Sequence, residues 1–301
     1  MMDHDRLFKE LLSTFFLEFL ELFFPETLEG VDRTSLEFLD KEIFTDVTEG
    51  ERHEVDLIAK LRFREAGQES VFLVHLEHQA QPQDCFPRRM FTYYARFHEL
   101  HALPIYPIAL FSHDRLREEP DEYSRDCRGF EVLRFRFRVV QLNRLNWRDF
   151  LDRENPVACA LMARMRIAPP ERPKVKAQCL RLLLQLRLDQ AKKGLLSGYV
   201  DSYLRLSQAE KQEYEAELAE FAREEREEIM EITTSWKEEG LQEGLQRGLL
   251  EGLVTVLELK FGGEPALLER VSTVTDVEQL RSLLQVAKNA QTVEEIWRHL
   301  T

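Results

Sequence analysis

The sequence predicts an α/β protein: a mixed sheet flanked by helices, followed by an all-helical C-terminal half. Three observations carry this. Up to about residue 150, short apolar runs of strand length alternate with amphipathic helical segments. Their order, α-β-β-β-α-β-β, builds a mixed sheet with helices packed against it. Beyond that point the apolar spacing is helical throughout. A chain of 301 residues, 44% of them hydrophobic, can fill one large core or several modest ones. The boundaries are placed at 1–150, 151–235 and 236–301.

The stretch HDRLFKELLSTFFLEFLELFF (4–24) sets Leu7, Phe8, Leu11, Leu12, Phe15, Phe16, Phe19, Leu20 and Phe23 at helical spacing, and Pro25 closes the helix. Three strand-like runs follow: LEFLDKEIF (36–44), EVDLIAKLRF (54–63) and SVFLVHLE (70–77). A helix is expected over FPRRMFTYYARFHELHA (86–102) and a strand over IYPIALFSHD (105–114). After a polar loop, FEVLRFRFRVVQLN (130–143) reads as one strand whose Arg134, Arg136 and Arg138 alternate with apolar residues, giving a wet, positive face. PPERP (169–173) reads as a linker-like break. Capping boxes at Ser207–Glu210, Thr275–Glu278 and Thr292–Glu295 mark helix starts, and a long acidic helix spans roughly 208–260. In it Gly240, Gly244, Gly248 and Gly252 recur four apart. Each mid-helix glycine costs about 0.5–1 kcal/mol relative to alanine, which the close approach of another helix, within the chain or across a homodimer, would offset.

The net charge of −14 is unevenly spread: residues 86–193 hold 22 bases against 13 acids, and 18 of those bases are arginine. This is either a solvated arginine-rich surface or a polyanion-binding face. The cysteines Cys85, Cys127, Cys159 and Cys179 are scattered without a C-x-x-C pair, which argues against a disulfide scaffold or a zinc-thiolate site. LLSTFFLEFLELFF (11–24) carries Glu18 and Glu21 and is too short to span a bilayer. A cytoplasmic protein is expected, without membrane contact. No Gly-rich phosphate loop, Ser-His-Asp set or Cys-His pair emerges.

The most informative stretch is VFLVHLEHQAQP (71–82), an apolar strand that ends in a carboxylate, a carboxamide and two imidazoles. Burying an unpaired carboxylate costs several kcal/mol. A two-residue turn at Ala66-Gly67 pairs Glu65 with Gln68, and the resulting register sets Asp56 opposite Glu77. One face then carries Val55, Leu57, Ala59, Leu61 and Phe63 against Phe72, Val74 and Leu76. The other carries Glu54, Asp56, Ile58 and Lys60 against Leu73, His75, Glu77 and Gln79. Carboxylates facing each other across a strand pair lie about 4.5–5.5 Å apart at Cβ and repel. Either one holds a proton, or a cation sits between them. Mg²⁺ takes such a site, with one or two carboxylates, waters and phosphate oxygens around it. For one acid a solvated strand end is the plainer account; two acids with Gln79 beside them favour a site. His75 shares that face and is placed to orient water, whereas His78 points to the core side or to solvent.

These residues carry a resemblance. Asp56 followed by Glu77-x-Gln79 at the end of the next apolar strand, in this element order, resembles the PD-(D/E)XK nuclease superfamily. More narrowly, HDRLFKELL (4–12), EVDLIAKL (54–61), VHLEHQAQPQ (74–83), RRMFTYYARFHE (88–99) and LPIYPIALFSH (103–113) are similar to the Rpn family of recombination-promoting nucleases, also described as YhgA-like transposases. The resemblance covers roughly residues 1–150. The Gly-repeat helix and terminal hairpin (236–301) resemble a small C-terminal domain of unknown function attached to such nucleases. It implies a restriction-endonuclease-like fold and a metal-dependent endodeoxyribonuclease, in which Asp56 and Glu77 ligate Mg²⁺, with Mn²⁺ or Ca²⁺ as substitutes. Gln79 takes the position that is lysine in most of the superfamily, which leaves more of the electrostatic load to the metal. On the first helix, HDRLFK looks like the family's start, and Asp5 or Glu10 is expected to reach the metal. Arg88, Arg89 and Arg96, at helical spacing after the site, are expected to clamp the phosphate backbone of DNA. No small-molecule organic cofactor is implied. The alternative is a catalytically degenerate nuclease fold acting as a DNA-binding or protein-interaction module.

Overall fold

The computed structural model describes residues 4–39, 56–65 and 67–300. The chain divides into two compact units, Met1–Ile229 and Met230–Thr301. In the first, the single helix expected over 4–24 is two, α1 (His4–Thr14) and α2 (Phe16–Phe23), kinked at Phe15 with φ −122° and ψ 41°. The Ser13 hydroxyl bonds the Glu10 carbonyl at 3.2 Å just ahead of that kink, the local competition hydroxyl residues offer a helix.

The first strand, β1 (Val31–Phe38), begins earlier than expected, and the remainder of the 36–44 run lies outside the described residues. β2 (Leu57–Glu65), β3 (Gln68–Gln79), α3 (Phe86–His101) and β4 (Ile105–Phe111) follow as the pattern requires. The expected strand over 130–143 is two strands in different sheets. β6 (Phe130–Arg136) pairs with β5 (Glu122–Cys127), which forms within the expected polar loop, and β7 (Arg138–Gln141) joins the main sheet. The transfer at Phe137 leaves no mark in the pattern because Phe135 and Phe137 are buried in one cluster. The sheet runs β1-β2-β3-β4-β7, antiparallel from β1 to β3 and parallel from β3 to β7. A parallel pairing needs a crossover, and α3 supplies it between β3 and β4.

That crossover covers one face: Tyr93 and Phe97 pack on Ile58 and Leu73, and Phe86 and Met90 on Ala109 and Phe111. On the opposite face Phe8 stacks on His78 with ring centroids 3.7 Å apart, and Phe24 meets Tyr106 at 5.8 Å. The anticipated positive face of β6–β7 is instead a row of exposed ion pairs: Arg134 with Glu131 at 2.9 Å, Arg136 with Asp121 at 3.1 Å and Arg138 with Glu26 at 2.9 Å. Such pairs contribute little stability, but they neutralise the charge attributed to that surface.

No division falls at residue 150. The helices α4 (Pro156–Leu161), α5 (Arg172–Gln185), α6 (Gln190–Tyr203) and α7 (Gln208–Ala219) belong to the same unit. Phe8 packs edge-on against Tyr199 and Tyr203 of α6, and Asn155, which caps α4, also donates to the Glu18 carbonyl at 2.9 Å. PPERP is a 3-10 turn that leads directly into α5, with Pro173 in its first turn, and not a linker.

The acidic helix expected over 208–260 is interrupted: α7 ends at Ala219 and α8 (Arg223–Phe261) begins after a short turn. The second unit closes with α9 (Pro265–Ser272), α10 (Val277–Asn289) and α11 (Val293–Trp297) around Leu253, Leu257, Leu267, Leu280, Leu283 and Ile296. Lys260 Nζ bonds the carbonyls of Ala287, Lys288 and Ala290, where α10 leaves acceptors unpaired. Of the three capping boxes, Ser207–Glu210 forms. Asp276, not Thr275, caps α10, and Thr292 caps α11 without a side-chain bond. A Cβ built on Gly240, Gly244, Gly248 or Gly252 would meet nothing within 4 Å, so among the described residues nothing packs on the glycine stripe. Among the described residues no helix is long and apolar enough to cross a membrane.

Because Phe8 is fully buried between the sheet and α6, Phe8→Ala is expected to cost about 3–5 kcal/mol. Denaturant unfolding followed by far-UV dichroism checks this.

Candidate functional site

β2 and β3 pair in the register set by the turn, with Glu65 against Gln68 and Leu57 against Leu76. Gly67, at φ +85°, supplies the left-handed conformation that the turn needs; Ala66 lies outside the described residues. One step beyond Leu57 and Leu76, Asp56 meets Glu77: its backbone N–H donates to Glu77 Oε1 at 3.2 Å. Asp56 stands in a bend ahead of β2 and not in the strand. Its carboxylate therefore lies at the strand end, where the helices on the two faces both reach. Glu54 and Val55, expected to extend the two faces, lie outside the described residues.

Asp56 is 7% exposed and Glu77 2%, so their charges must be met locally. Asp56 Oδ2 accepts from the His78 backbone N–H at 2.7 Å, and Oδ1 lies 3.1 Å from Lys9 Nζ on α1. Glu77 Oε1 is 3.0 Å from His75 Nε2, and Oε2 is 3.6 Å from Arg89 Nη2 on α3. Even so, burial first and the Glu77 carboxylate second push the Asp56 carboxyl up to about 7, against Lys9 and the His78 N–H, which lower it. Burial, and then Glu77, likewise hold the Tyr93 phenol up at about 12.

The remaining expectations sort themselves on this frame. Gln79 is buried on the same face as His75 and Glu77. Its carboxamide is committed at both ends: Oε1 accepts from Arg89 Nη2 at 2.6 Å and Nε2 donates to the Gln81 carbonyl at 2.5 Å. His75 is fully buried against Tyr93 and Phe97 and bonds Glu77 directly. His78 takes the core-side orientation, with Nε2 2.7 Å from Ser112 Oγ. From α1 it is Lys9 that reaches the pair. Glu10 is exposed, and the Asp5 side chain lies outside the described part of the chain. Of the three arginines, Arg88 is exposed and Arg96 is half-buried, acting electrostatically on Tyr93. Arg89 turns into the site, where Nη1 also donates to Gln83 Oε1 at 2.7 Å. The reading of the sequence missed Lys9 and the inward turn of Arg89; only their places on helices flanking the strand end signalled either.

Among the described residues, no group of three His, Cys, Asp or Glu side chains is gathered around a metal position. The oxygen-only pair Asp56 and Glu77 nonetheless matches what Mg²⁺ requires, since that ion takes one or two carboxylates and keeps several waters. No protein-family model, curated protein or solved structure matches this chain.

A carboxyl whose folded pKa, about 7, exceeds its ordinary value of 3.8 takes up a proton on folding between those two values. Metal-free stability should therefore fall as pH rises from about 4 to about 7 and level off above, by at most about 1.4 kcal/mol per pH unit. Asp56→Asn should remove that slope. Denaturant melts of both proteins in EDTA across this range measure the difference.

Proposed function

We propose that this protein is a metal-dependent endonuclease that hydrolyses phosphodiester bonds in DNA, on a restriction-endonuclease-like fold. The observation that carries the reading is the buried Asp56–Glu77 pair, with an acid raised to about 7, at the end of β3 between two flanking helices. A divalent cation is the ligand that such a pair would gain most from binding. The element order through β4 and the exposed Arg88 in the first turn of α3 support the same reading.

In this reading Asp56 and Glu77 hold Mg²⁺ or Mn²⁺, which when bound lowers the pKa of water and polarises phosphate oxygens. The chain's own residues do the rest. His75 fixes the Glu77 carboxylate through its 3.0 Å contact, the His78 N–H fixes Asp56, and α3 screens the pair from bulk water. Hydrolysis forms a bond from a water oxygen to phosphorus, breaks one phosphorus–oxygen ester bond and passes a proton to the departing alkoxide. The link to recombination or transposition rests on resemblance alone.

A second reading, a catalytically degenerate module that binds DNA or protein, is favoured by one observation. Lys9 and Arg89 already stand against the two acids, so the site is partly balanced without metal. A homodimer through α8 belongs to the same proposal, since its four glycines leave an open stripe that nothing among the described residues covers. Sedimentation of the full chain decides that part.

Plasmid nicking by the purified protein is expected with Mg²⁺ or Mn²⁺ and not in EDTA. At a hundredfold excess over Kd, the metal should raise Tm by about 5–10 °C, and Asp56→Ala should abolish both effects. Metal stabilisation without cleavage would favour the degenerate module.

DNA affinity should also fall steeply with salt, and Arg88→Glu should weaken binding to any sequence. A titration at several salt concentrations that shows no slope would remove the arginine-rich surface from the proposal.

A further inference from the structure

We infer that Arg89 supplies a fixed positive charge beside Glu77 and that Gln79 acts through it, as the residue that holds the guanidinium in place. The inference deepens the metal-dependent nuclease reading and rests on it. Gln79 is buried beside Glu77 on the site face of β3, and its carboxamide is turned to Arg89. Oε1 accepts from Arg89 Nη2 at 2.6 Å, and Nε2 donates to the Gln81 carbonyl at 2.5 Å. A carboxamide anchored at both ends is poorly placed to orient an attacking water and well placed to orient a neighbour.

That neighbour is unusual for a surface-helix arginine. Its side chain is 18% exposed. Nη1 is tied to Gln83 at 2.7 Å, Nη2 lies 3.6 Å from Glu77 Oε2, and Phe86 lies 5.0 Å below the guanidinium carbon. Its Nε–H is buried and has no partner among the described contacts. A guanidinium stays protonated at any working pH and presents its donors in a fixed fork that suits phosphate oxygens. Arg89 therefore cannot act as a base. It can donate to a non-bridging phosphate oxygen beside Glu77 and stabilise the charge that grows there as the ester bond breaks. Arg88, one residue earlier on α3, is exposed and lacks this frame, so a general clamp on the DNA backbone does not account for the pair.

The proposal changes what substitution of Gln79 should do. A lysine there would set an ammonium against Arg89, so Gln79→Lys alone should lower cleavage. In an Arg89→Met background the same change should restore activity by moving the charge one side chain away.

The test uses the full chain in two assays. In single-turnover cleavage with Mg²⁺ at saturating enzyme, Arg89→Met should lose on the order of 10²–10³ in the cleavage rate constant, and Arg89→Lys should lose less. Adding Gln79→Ala to Arg89→Met should cost little more, because Gln79 works through Arg89. In the second assay, Mn²⁺ alone is titrated against substrate-free protein. Arg89→Met should bind Mn²⁺ several-fold more tightly, because a cation 3.6 Å from Glu77 has been removed. Additive losses for Gln79→Ala and Arg89→Met, no rescue by Gln79→Lys, or an unchanged Mn²⁺ affinity would each overturn the proposal. A wild type that binds Mn²⁺ without cleaving would defeat the nuclease reading, and the shift in Mn²⁺ affinity would still decide the placement of Arg89. A wild type and an Arg89→Met variant that both fail to bind Mn²⁺ would overturn the two together.

Discussion

Two carboxylates buried at the end of one strand pair impose the constraint on which the first unit depends. Removing a charge from water costs several kcal/mol unless hydrogen bonds and opposite charges replace the lost hydration, and here the two charges also repel. The surroundings of Asp56 and Glu77 read as a response. A backbone N–H from His78, an ammonium from α1, an imidazole within β3 and a guanidinium from α3 converge on four carboxylate oxygens. The response is incomplete, as the raised Asp56 carboxyl records. An apolar core would have tolerated neither acid, so the shortfall marks a place where the fold keeps two repelling charges at a cost in stability.

The sheet topology delivers these groups. The antiparallel β2–β3 hairpin fixes which acid meets which, because a slip of one residue would turn Glu77 to the opposite face. The parallel β3–β4 step then obliges the chain to cross over, and the crossover is α3, whose first turns pass over the strand end just vacated. Arg89 closes the first of those turns, so the same connection that makes the sheet mixed also carries a cation to Glu77. Its apolar side, from Phe86 and Met90 to Tyr93 and Phe97, locks the helix to the sheet and leaves the guanidinium little choice of direction.

Much of this was legible in the sequence, and for identifiable reasons. The hairpin register follows from a two-residue turn containing glycine and from strict alternation, and both survive in the structure from Glu65 to Leu57. What the pattern could not show lies where one apolar period serves two environments. Phe135, in β6, and Phe137, in the break between β6 and β7, belong to one cluster, so the run from 130 to 143 keeps an unbroken apolar period across the sheet change. The boundary expected at residue 150 failed for a related reason: helical periodicity says that a face is buried and not against what, and Tyr199 and Tyr203 bury theirs on Phe8. At the site, residue types and spacing pointed to Asp56, Glu77 and Gln79. Which end of the Gln79 carboxamide faces which partner depends on a helix ten residues away and has no one-dimensional signal.

The two imidazoles of the strand, alike in sequence, have opposite duties that explain why α1 belongs to the site at all. His75 faces α3 and braces Glu77 from within the strand. His78 faces the other way, bonds Ser112 at the end of β4 and offers its ring to Phe8. Consecutive residues on a helix project about 100° apart, so once Phe8 is stacked on His78 and wedged against Tyr199, the direction of Lys9 is largely decided. It points along the strand end to Asp56, whose other oxygen is held by the backbone of that same His78. One residue thus sets Asp56 twice, directly through its N–H and indirectly through the helix its ring anchors. The helical layer behind α1 bears on the site through this contact, since Tyr199 and Tyr203 hold Phe8 from the far side.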